Sequence, residues 1–543
     1  MKYVSAIKGS PHVRFVAATG LLALAYLSFN HTLISDLFHA ADVRAWRSVI
    51  MQSSILLISF LLFAACIMHL RGWIRISLLV CFSASALVSG IYQRILGRKL
   101  DFESASWIIE ERGQANNILS SYTNDVLVTC SYVCFSVALL LAASYIPISH
   151  PLRIFFQRGR RYLSIVIILT LVGWNTLLFA ATSRTHPSES STLTYAIATW
   201  FDAYPTIREI GAMPTSKSPF DKVVLIVDES IRHDYFSAIL SAETKSLGAI
   251  DFGETISFSP CSAGTNAMLR WGFSMDLLEP TSRDAREHPK VWRYAKASGF
   301  KTHHLDGQSR GNTSNFTGKV EREDIDDFQA MFADMETDKG LSRRLNALLK
   351  RESRDFIYVN KHGAHFAYEG NYPTAWRSEI KTRSQSYSAA IRYSTSGFFE
   401  SMLAGVDMTK VLVLYTSDHG QRLDGSGASH CNPTPKRDEY SVPLLAFTGN
   451  GQWRDDLGQS SAKHVGQTTH LQIFPTLLAS FGYDQRAVAA NYFPTLFEAP
   501  GSSFILGYPF KPFPSFITRS LPIRKVTNIT DIGPKDGSTD PPI

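Results

Sequence analysis

The sequence has 543 residues, which is too long for one small domain, so two or more folded parts are expected. Charged residues are 19% of the chain, against roughly 25% in soluble proteins. The net charge is a modest +7 and no dense block of lysine and arginine occurs, which argues against a nucleic-acid-binding protein.

Apolar segments fill the first third of the chain. Each is about as long as a helix that crosses a hydrocarbon core of roughly 30 Å, and they are nearly free of internal charge. The first segment follows three basic residues, as a signal peptide would, but it lacks a small-residue cleavage site, so we interpret it as an anchor. We predict an N-terminal α-helical transmembrane bundle of five helices, at Phe15–Ile34, Val49–Leu70, Ile74–Tyr92, Asp125–Ile146 and Tyr162–Ala181.

The charges of the loops predict the orientation of these spans. With the N-terminus in the cytoplasm, the basic cluster Arg153–Arg161 lies inside, although Arg94, Arg98 and Lys99 lie outside. The strength of the inside cluster favours this orientation, and five spans then place everything after Ala181 outside the cytoplasm. Because the spans contain almost no ionisable residues, a transporter is disfavoured.

Residues 184–218 have the Ser-, Thr-, Pro- and Lys-rich composition of a linker. Its aromatic stretch Leu193–Tyr204 suits either the membrane interface or packing against the following domain. We therefore expect a transmembrane domain at 1–183, an interfacial linker at 184–218, a globular domain at 219–510, and a tail at 511–543 whose last part is disordered.

The globular domain alternates short apolar runs with helical patterns. This alternation predicts an α/β domain with a largely parallel sheet that is covered on both faces. The helical patterns cover Ser386–Met402 and Leu471–Ser480. The predicted strands are Val223–Val227, Asp355–Asn360, Val411–Tyr415 and Pro443–Phe447.

Polar residues follow three of these runs. Asp228-Glu229 follows the first, His362 and His365 follow the second, and Asp418-His419 follows the third. Ligands of such sheets bind beyond the carboxyl ends of the strands. Carboxylates and imidazoles gathered there predict a divalent metal site that suits zinc or manganese.

The first motif, Val224-Leu-Ile-Val-Asp-Glu229-Ser-Ile-Arg-His-Asp, resembles the first motif of the phosphoethanolamine transferases, which modify bacterial lipopolysaccharide. That family belongs to the alkaline phosphatase and sulfatase superfamily. Five spans, an interfacial linker and a sulfatase-like domain are also its layout, so the resemblance covers nearly the whole chain. It implies a multi-pass protein of the bacterial inner membrane whose sulfatase-like domain lies in the periplasm.

The resemblance also implies a metal site and a nucleophile. Glu229 would bind zinc, and Asp418 and His419 would complete the site. The family nucleophile is a Thr four residues after a Cys. In Cys261-Ser-Ala-Gly-Thr265 that residue is Thr265, whose hydroxyl would also bind the metal. Zinc would activate this otherwise weak nucleophile, and one ion is expected, with a second, weaker one left open.

Two histidines are assigned by the same resemblance. His365, followed by Tyr368, and His430 would bind the substrate phosphate or protonate the leaving oxygen. Gln308 and Asn312 are weaker candidates for substrate contacts.

The chain departs from the family pattern at two positions. Trp271 occupies the place of a disulfide cysteine, and Asn360 the place of a histidine, which puts contacts of that histidine in doubt. Outside the spans the only cysteines are Cys261 and Cys431. An oxidising compartment would let them pair, but the sequence leaves open whether they do.

We therefore expect zinc-dependent transfer of phosphoethanolamine from phosphatidylethanolamine to lipopolysaccharide, lipid A or another envelope glycan, through a phospho-Thr265 intermediate, by a monomer. A phosphoglycerol transferase, or another sulfatase-like phosphotransferase or hydrolase, is the alternative within the superfamily. A sulfatase is disfavoured, because the sequence after Cys261 lacks the Pro and Arg of the formylglycine motif. A non-catalytic, membrane-anchored binding platform is the alternative of another class.

Overall fold

The chain divides into two compact units, residues 1–106 with 122–202 and residues 107–121 with 203–543. The loop charges Arg98, Lys99, Arg153 and Arg158, on which the predicted orientation rests, lie outside the part that the structure describes, as does Asn312. The computed structural model describes residues 11–42, 46–70, 72–96, 100, 105, 108, 122–146, 160–181, 187–200, 205–211, 213–278, 284–308, 315–317, 319–331, 334–425, 428–432, 434–507 and 522–535.

The first unit is helical. Its helices are α1 Pro11–Phe29, α2 His31–Asp42, α3 Trp46–His69, α4 Gly72–Leu96, α5 Thr123–Tyr145, α6 Arg160–Ala181 and α7 Ser188–Trp200. Three apolar stretches are long enough to cross a membrane, namely Val49–Met68, Gly72–Ile95 and Thr123–Ser144, and two are shorter, namely Val13–Phe29 and Ile165–Leu178. Apolar helices thus occupy all five predicted spans.

Two details of this unit differ from the expectation. The predicted span Phe15–Ile34 is divided at Asn30, whose side-chain amide donates to the carbonyl of Tyr26 (3.1 Å) and to the buried carboxylate of Glu189 (2.7 Å). The segment expected as a linker contains α7, which belongs to the helical unit. The domain boundaries therefore stay a prediction in this region.

The second unit contains a seven-stranded sheet in the order β2-β7-β6-β1-β5-β3-β4. Strands β6, β1, β5, β3 and β4 are parallel, whereas β7 is antiparallel to both β6 and β2. A separate antiparallel pair consists of β8 and β9, so part of the tail after residue 511 is ordered. The strands are β1 Lys222–Asp228, β2 Ile250–Ile256, β3 Lys301–Asp306, β4 Asp327–Ala330, β5 Asp355–Asn360, β6 Val411–Ser417, β7 Ser441–Thr448, β8 Ser503–Leu506 and β9 Ile523–Val526.

Helices cover both faces of this sheet. Alternate residues of β1 enter different cores, Val224 and Ile226 on one face and Val223 and Leu225 on the other, because successive side chains of a strand point in opposite directions. The α-helices are α8 His233–Ser246, α9 Ser262–Trp271, α10 Val291–Ala297, α11 Lys319–Arg322, α12 Thr337–Leu349, α13 Arg383–Thr395, α14 Phe398–Leu403, α15 Gly451–His464, α16 Ile473–Phe481 and α17 Gln485–Asn491. Short 3₁₀ turns are Met275–Leu278, Ala285–Glu287, Tyr368–Gly370, Thr374–Ser378, Met408–Lys410, Arg437–Glu439, His470–Gln472 and Ile529–Ile532.

The mixed α/β fold confirms the predicted fold class. The four predicted strands are β1, β5, β6 and β7, although the last of them is antiparallel. Because β5, β1 and β6 are adjacent and parallel, their carboxyl ends meet at one edge of the sheet. This arrangement gathers the polar residues that follow the three strands.

Candidate metal and nucleophile site

A buried cluster of two acids and one imidazole lies at this edge. One ligand atom each from Glu229, Asp418 and His419 falls within 4.8 Å of the others. The His419 Nε2 atom is 3.6 Å from a carboxylate oxygen of each acid. Its other ring nitrogen, Nδ1, lies 2.7 Å from the carbonyl of Gly420, so Nδ1 carries the proton and Nε2 is free to bind a metal.

The acids have the properties of metal ligands. Asp418 Oδ1 accepts from the backbone N–H of Ser230 (2.9 Å) and of His419 (2.7 Å). Asp418 Oδ2 is buried and has no hydrogen-bond partner among the described residues. Burial raises the pKa of Glu229 well above its usual value, and the charge of Asp418 raises it further. A divalent cation would offset the repulsion between Glu229 and Asp418 and would give Asp418 Oδ2 a partner. These residues therefore fit zinc.

The hydroxyl that contacts this cluster belongs to Ser262. Its Oγ lies 3.1 Å from His419 Nε2 and 3.3 and 3.4 Å from the two carboxylate oxygens of Glu229. Ser262 is the first residue of α9, and Cys261 is the N-cap. The positive end of the helix dipole therefore favours negative charge at this hydroxyl.

Thr265, the nucleophile expected from the Cys spacing, occupies a different place. Its hydroxyl donates to the carbonyl of Ser259 (3.1 Å), accepts from the N–H of the same residue (3.1 Å) and lies 3.2 Å from Ser257 Oγ. Among the contacts of the described residues, none joins it to Glu229, Asp418 or His419. The residue that sequence reasoning missed is thus Ser262, nearly one helical turn earlier on α9.

His430 lies beside the cluster, and His365 lies in the loop that follows β5. The ring of His430 stacks on that of His419 with 4.2 Å between centroids, and His365 stacks on His362 at 6.1 Å. Burial, and then His362, lower the pKa of His365 to about 4. Burial, and then His419, lower the pKa of His430 well below its usual value. Both rings are therefore neutral at pH 7, each with one N–H to donate.

Gln308 and Asn360 hydrogen-bond to residues that form the site. The Gln308 amide donates to Glu229 Oε2 and to the carbonyl of Lys361, both at 3.0 Å, so it positions Glu229. Asn360 donates to the side chain of Asn266 on α9 (2.6 Å) and lies 2.9 Å from His304 Nε2. The position occupied by a histidine in the family is thus part of the support of α9.

Cys261 and Cys431 form a disulfide, which answers the question that the sequence left open. The bond joins the residue before Ser262 to the residue after His430. It therefore ties the start of α9 to the loop that carries a candidate phosphate-binding imidazole.

Comparison with known proteins identifies the fold of the domain that carries this site. Residues 221–483 match the sulfatase family, so this part of the second unit is a sulfatase-like domain. The sequence matches no curated protein.

Two solved structures are similar to this chain. The integral membrane protein lipooligosaccharide phosphoethanolamine transferase A (EptA) of Neisseria meningitidis aligns with 87% of this chain and 99% of its own, at 15% identity and a TM-score of 0.56. The C-terminal periplasmic domain of EcEptC from Escherichia coli aligns with 58% of this chain and 97% of its own, at 17% identity and a TM-score of 0.45. The chain therefore shares the fold of the EptA structure, with apolar N-terminal helices and a sulfatase-like domain.

Proposed function

We propose that the protein is a zinc-dependent transferase that moves phosphoethanolamine from phosphatidylethanolamine to lipopolysaccharide, lipid A or another envelope glycan. The observation that carries this proposal is the Ser262 hydroxyl in contact with the buried cluster of Glu229, Asp418 and His419. Phosphoryl transfer demands chiefly a positioned nucleophile and stabilisation of charge, and this arrangement can supply both.

The residues divide the chemistry between them. Glu229, Asp418 and His419 would hold the metal, which when bound lowers the pKa of a neighbouring hydroxyl and neutralises charge on phosphate. Ser262 Oγ forms a bond to phosphorus, the bond from phosphorus to the diacylglycerol oxygen breaks, and the proton lost by Ser262 is balanced by one taken up at that oxygen. In the second step an acceptor oxygen forms a bond to phosphorus, the bond from phosphorus to Ser262 Oγ breaks, and the proton lost by the acceptor is balanced by one taken up at Ser262 Oγ.

His365 and His430 would orient the phosphate in this scheme. Their lowered pKa values make them neutral hydrogen-bond donors, which suits contact with phosphoryl oxygens better than donation of a proton to the leaving group. The apolar N-terminal helices would keep the domain at the bilayer that contains the donor. We place the enzyme in the bacterial inner membrane, as a monomer with its site in the periplasm.

Mass spectrometry of the full chain in detergent tests the donor and the nucleophile together. After incubation with phosphatidylethanolamine, reduction and trypsin digestion, residues 246–270 form one peptide that contains both Ser262 and Thr265. We expect a phosphoethanolamine adduct on Ser262 that is absent from Ser262→Ala, absent after chelation and retained in Thr265→Ala. Fragment ions distinguish the two hydroxyls.

Other outcomes would reject parts of the proposal. An adduct on Thr265 would restore the nucleophile expected from sequence. An adduct formed only with phosphatidylglycerol would identify a phosphoglycerol transferase. A chain that binds no zinc and forms no adduct with either lipid would be a non-catalytic platform.

A further inference from the structure

A cationic side chain borders the site without a role in the scheme above. Arg383 is the first residue of α13. Its guanidinium carbon lies 5.2 Å from the ring centroid of Phe366 and 6.0 Å from that of Tyr368. Phe366 directly follows His365, so the charge of Arg383 lies against the loop that carries this imidazole.

Three other basic side chains near the site, all within the described residues, pair with acids. Three ion pairs account for them, namely Lys361–Asp228 (2.5 Å), Arg232–Asp234 (2.6 Å) and Arg422–Asp424 (2.9 Å). Within the part of the chain that the structure describes, Arg383 has no acid at ion-pair distance, and its buried Nε atom has no hydrogen-bond partner. A buried guanidinium N–H without a partner costs free energy unless a ligand satisfies it.

The charge of Arg383 also reaches the metal end of the site. Its charge acts on the ring of His430. Because His430 stacks on His419, a group that bridges Arg383 and the metal cluster would pass both rings. A guanidinium stays charged throughout the physiological pH range, so Arg383 supplies a permanent positive charge on this side.

We propose that Arg383 is a substrate-binding residue that holds an anionic phosphate oxygen beside the metal-bound end of the substrate, an inference that rests on the proposed phosphotransfer. A guanidinium presents a planar fork of donors that matches phosphate oxygens. Its cation–π contacts with Phe366 and Tyr368 hold the guanidinium in place, and its Nε–H has no partner among the described residues. The phosphate belongs either to the phosphodiester of the donor or to a phosphate monoester on the acceptor.

Binding of inorganic phosphate to the zinc-loaded full chain tests the residue directly. A hydrogen bond to a charged group contributes enough that its loss weakens binding roughly tenfold to a hundredfold. We expect Arg383→Gln to weaken phosphate binding to this extent, measured by titration calorimetry, with unchanged zinc content. Arg377→Gln is the matched control, because Arg377 is exposed and donates to the carbonyl of Glu369.

Two kinetic measurements distinguish a phosphate of the donor from a phosphate of the acceptor. Slower adduct formation with phosphatidylethanolamine vesicles would assign Arg383 to the donor. Unchanged adduct formation, with slower transfer to glucosamine phosphate but not to glucosamine, would assign it to the acceptor. Changes of less than about twofold in phosphate binding and in both kinetic measurements, relative to Arg377→Gln, would overturn the proposal.

Failure of the anion site and failure of the proposed function give different results. If the wild-type chain forms no adduct but its phosphate binding depends on Arg383, the proposed donor is wrong and the anion site stands. If Arg383→Gln loses zinc, phosphate binding is measured instead in Arg383→Lys, which keeps the charge and loses the planar fork. Weaker phosphate binding in that variant supports the proposal, and unchanged binding overturns it.

Discussion

Lys361, which is buried and pairs with the acid that precedes Glu229, offers the strongest test of the electrostatics of the site. Lys361 Nζ is fully buried and lies 2.5 Å from Asp228 Oδ2, 2.8 Å from Thr395 Oγ1 and 3.9 Å from a carboxylate oxygen of Asp338. Asp228 directly precedes Glu229 and also accepts from its backbone N–H (3.0 Å). Lys361→Met removes the cation and leaves the acids buried.

The expected cost follows from this geometry. Removal of one partner of a buried ion pair costs about 3–5 kcal/mol, because the remaining charge is uncompensated. Burial raises the pKa of Asp228, and Lys361 opposes this effect, so the substitution raises that pKa further. A carboxyl with a raised native pKa stabilises the fold at low pH and loses this contribution as the pH rises. The deficit of Lys361→Met is therefore smaller at pH 5 than at pH 8.

Pulse proteolysis in urea, on the full chain in detergent, measures this free energy. Lys410→Met is the control, because Lys410 is 70% exposed and its ion pair with Asp221 is at the surface (3.4 Å). Such a pair contributes only about 0–1 kcal/mol. Asp228→Asn in the Lys361→Met background removes the orphaned charge, so we expect the double variant to recover more than half of the loss.

Three results would refute the reasoning. A cost below about 1 kcal/mol would mean that the lysine charge is dispensable. A cost that is equal at pH 5 and pH 8 would exclude an orphaned carboxylate as its cause. A double variant no more stable than Lys361→Met would show that packing of the lysine stem dominates.

Two further predictions concern the backbone around the site. Gly363→Ala should abolish zinc binding measured by metal analysis, since its Cβ would lie 2.5 Å from the carbonyl of Glu229 and its φ is +58°, whereas Gly370→Ala, with no atom within 4 Å, should retain zinc. Replacement of Cys261 and Cys431 by Ala opens a loop of 170 residues, and we expect a loss of about 2–5 kcal/mol in pulse proteolysis together with faster hydrogen exchange around the cysteines. Zinc bound by Gly363→Ala, or a reduced protein as stable as the oxidised one, would contradict these expectations.

Strands β1, β5, β6 and β7 could be predicted from sequence, but β2, β3 and β4 could not. β1, β5 and β6 are buried along their whole length and read as continuous apolar runs. β3 is almost equally buried but contains polar residues, which are satisfied by distant partners. His303 lies between Asp327 and Asp355, and His304 contacts Asn360. A local pattern cannot reveal such partners.

The candidate metal ligands and the proposed nucleophile also differ in how readily they can be predicted from sequence. Glu229, Asp418 and His419 follow recognisable strands, so topology alone gathers them. The start of α9 is harder to predict from sequence, because its N-cap is Cys261, and Cys is not among the residues that usually cap helices. Without a recognisable N-cap the register of the helix could not be inferred, and Thr265 was expected only from the family resemblance.

The surroundings of α9 give Thr265 a structural role, although the hydroxyl that contacts the cluster lies nearly one turn earlier. Thr265 closes the turn at Ser259, and Asn266 accepts from Asn360 (2.6 Å) and Tyr358 (2.8 Å). These bonds anchor the inner side of the helix to the sheet, while its first residue, Ser262, faces the metal ligands. Under the proposed mechanism Thr265 would therefore be a positioning residue, and we expect its loss to loosen α9 and to slow adduct formation while the Ser262 hydroxyl remains in place.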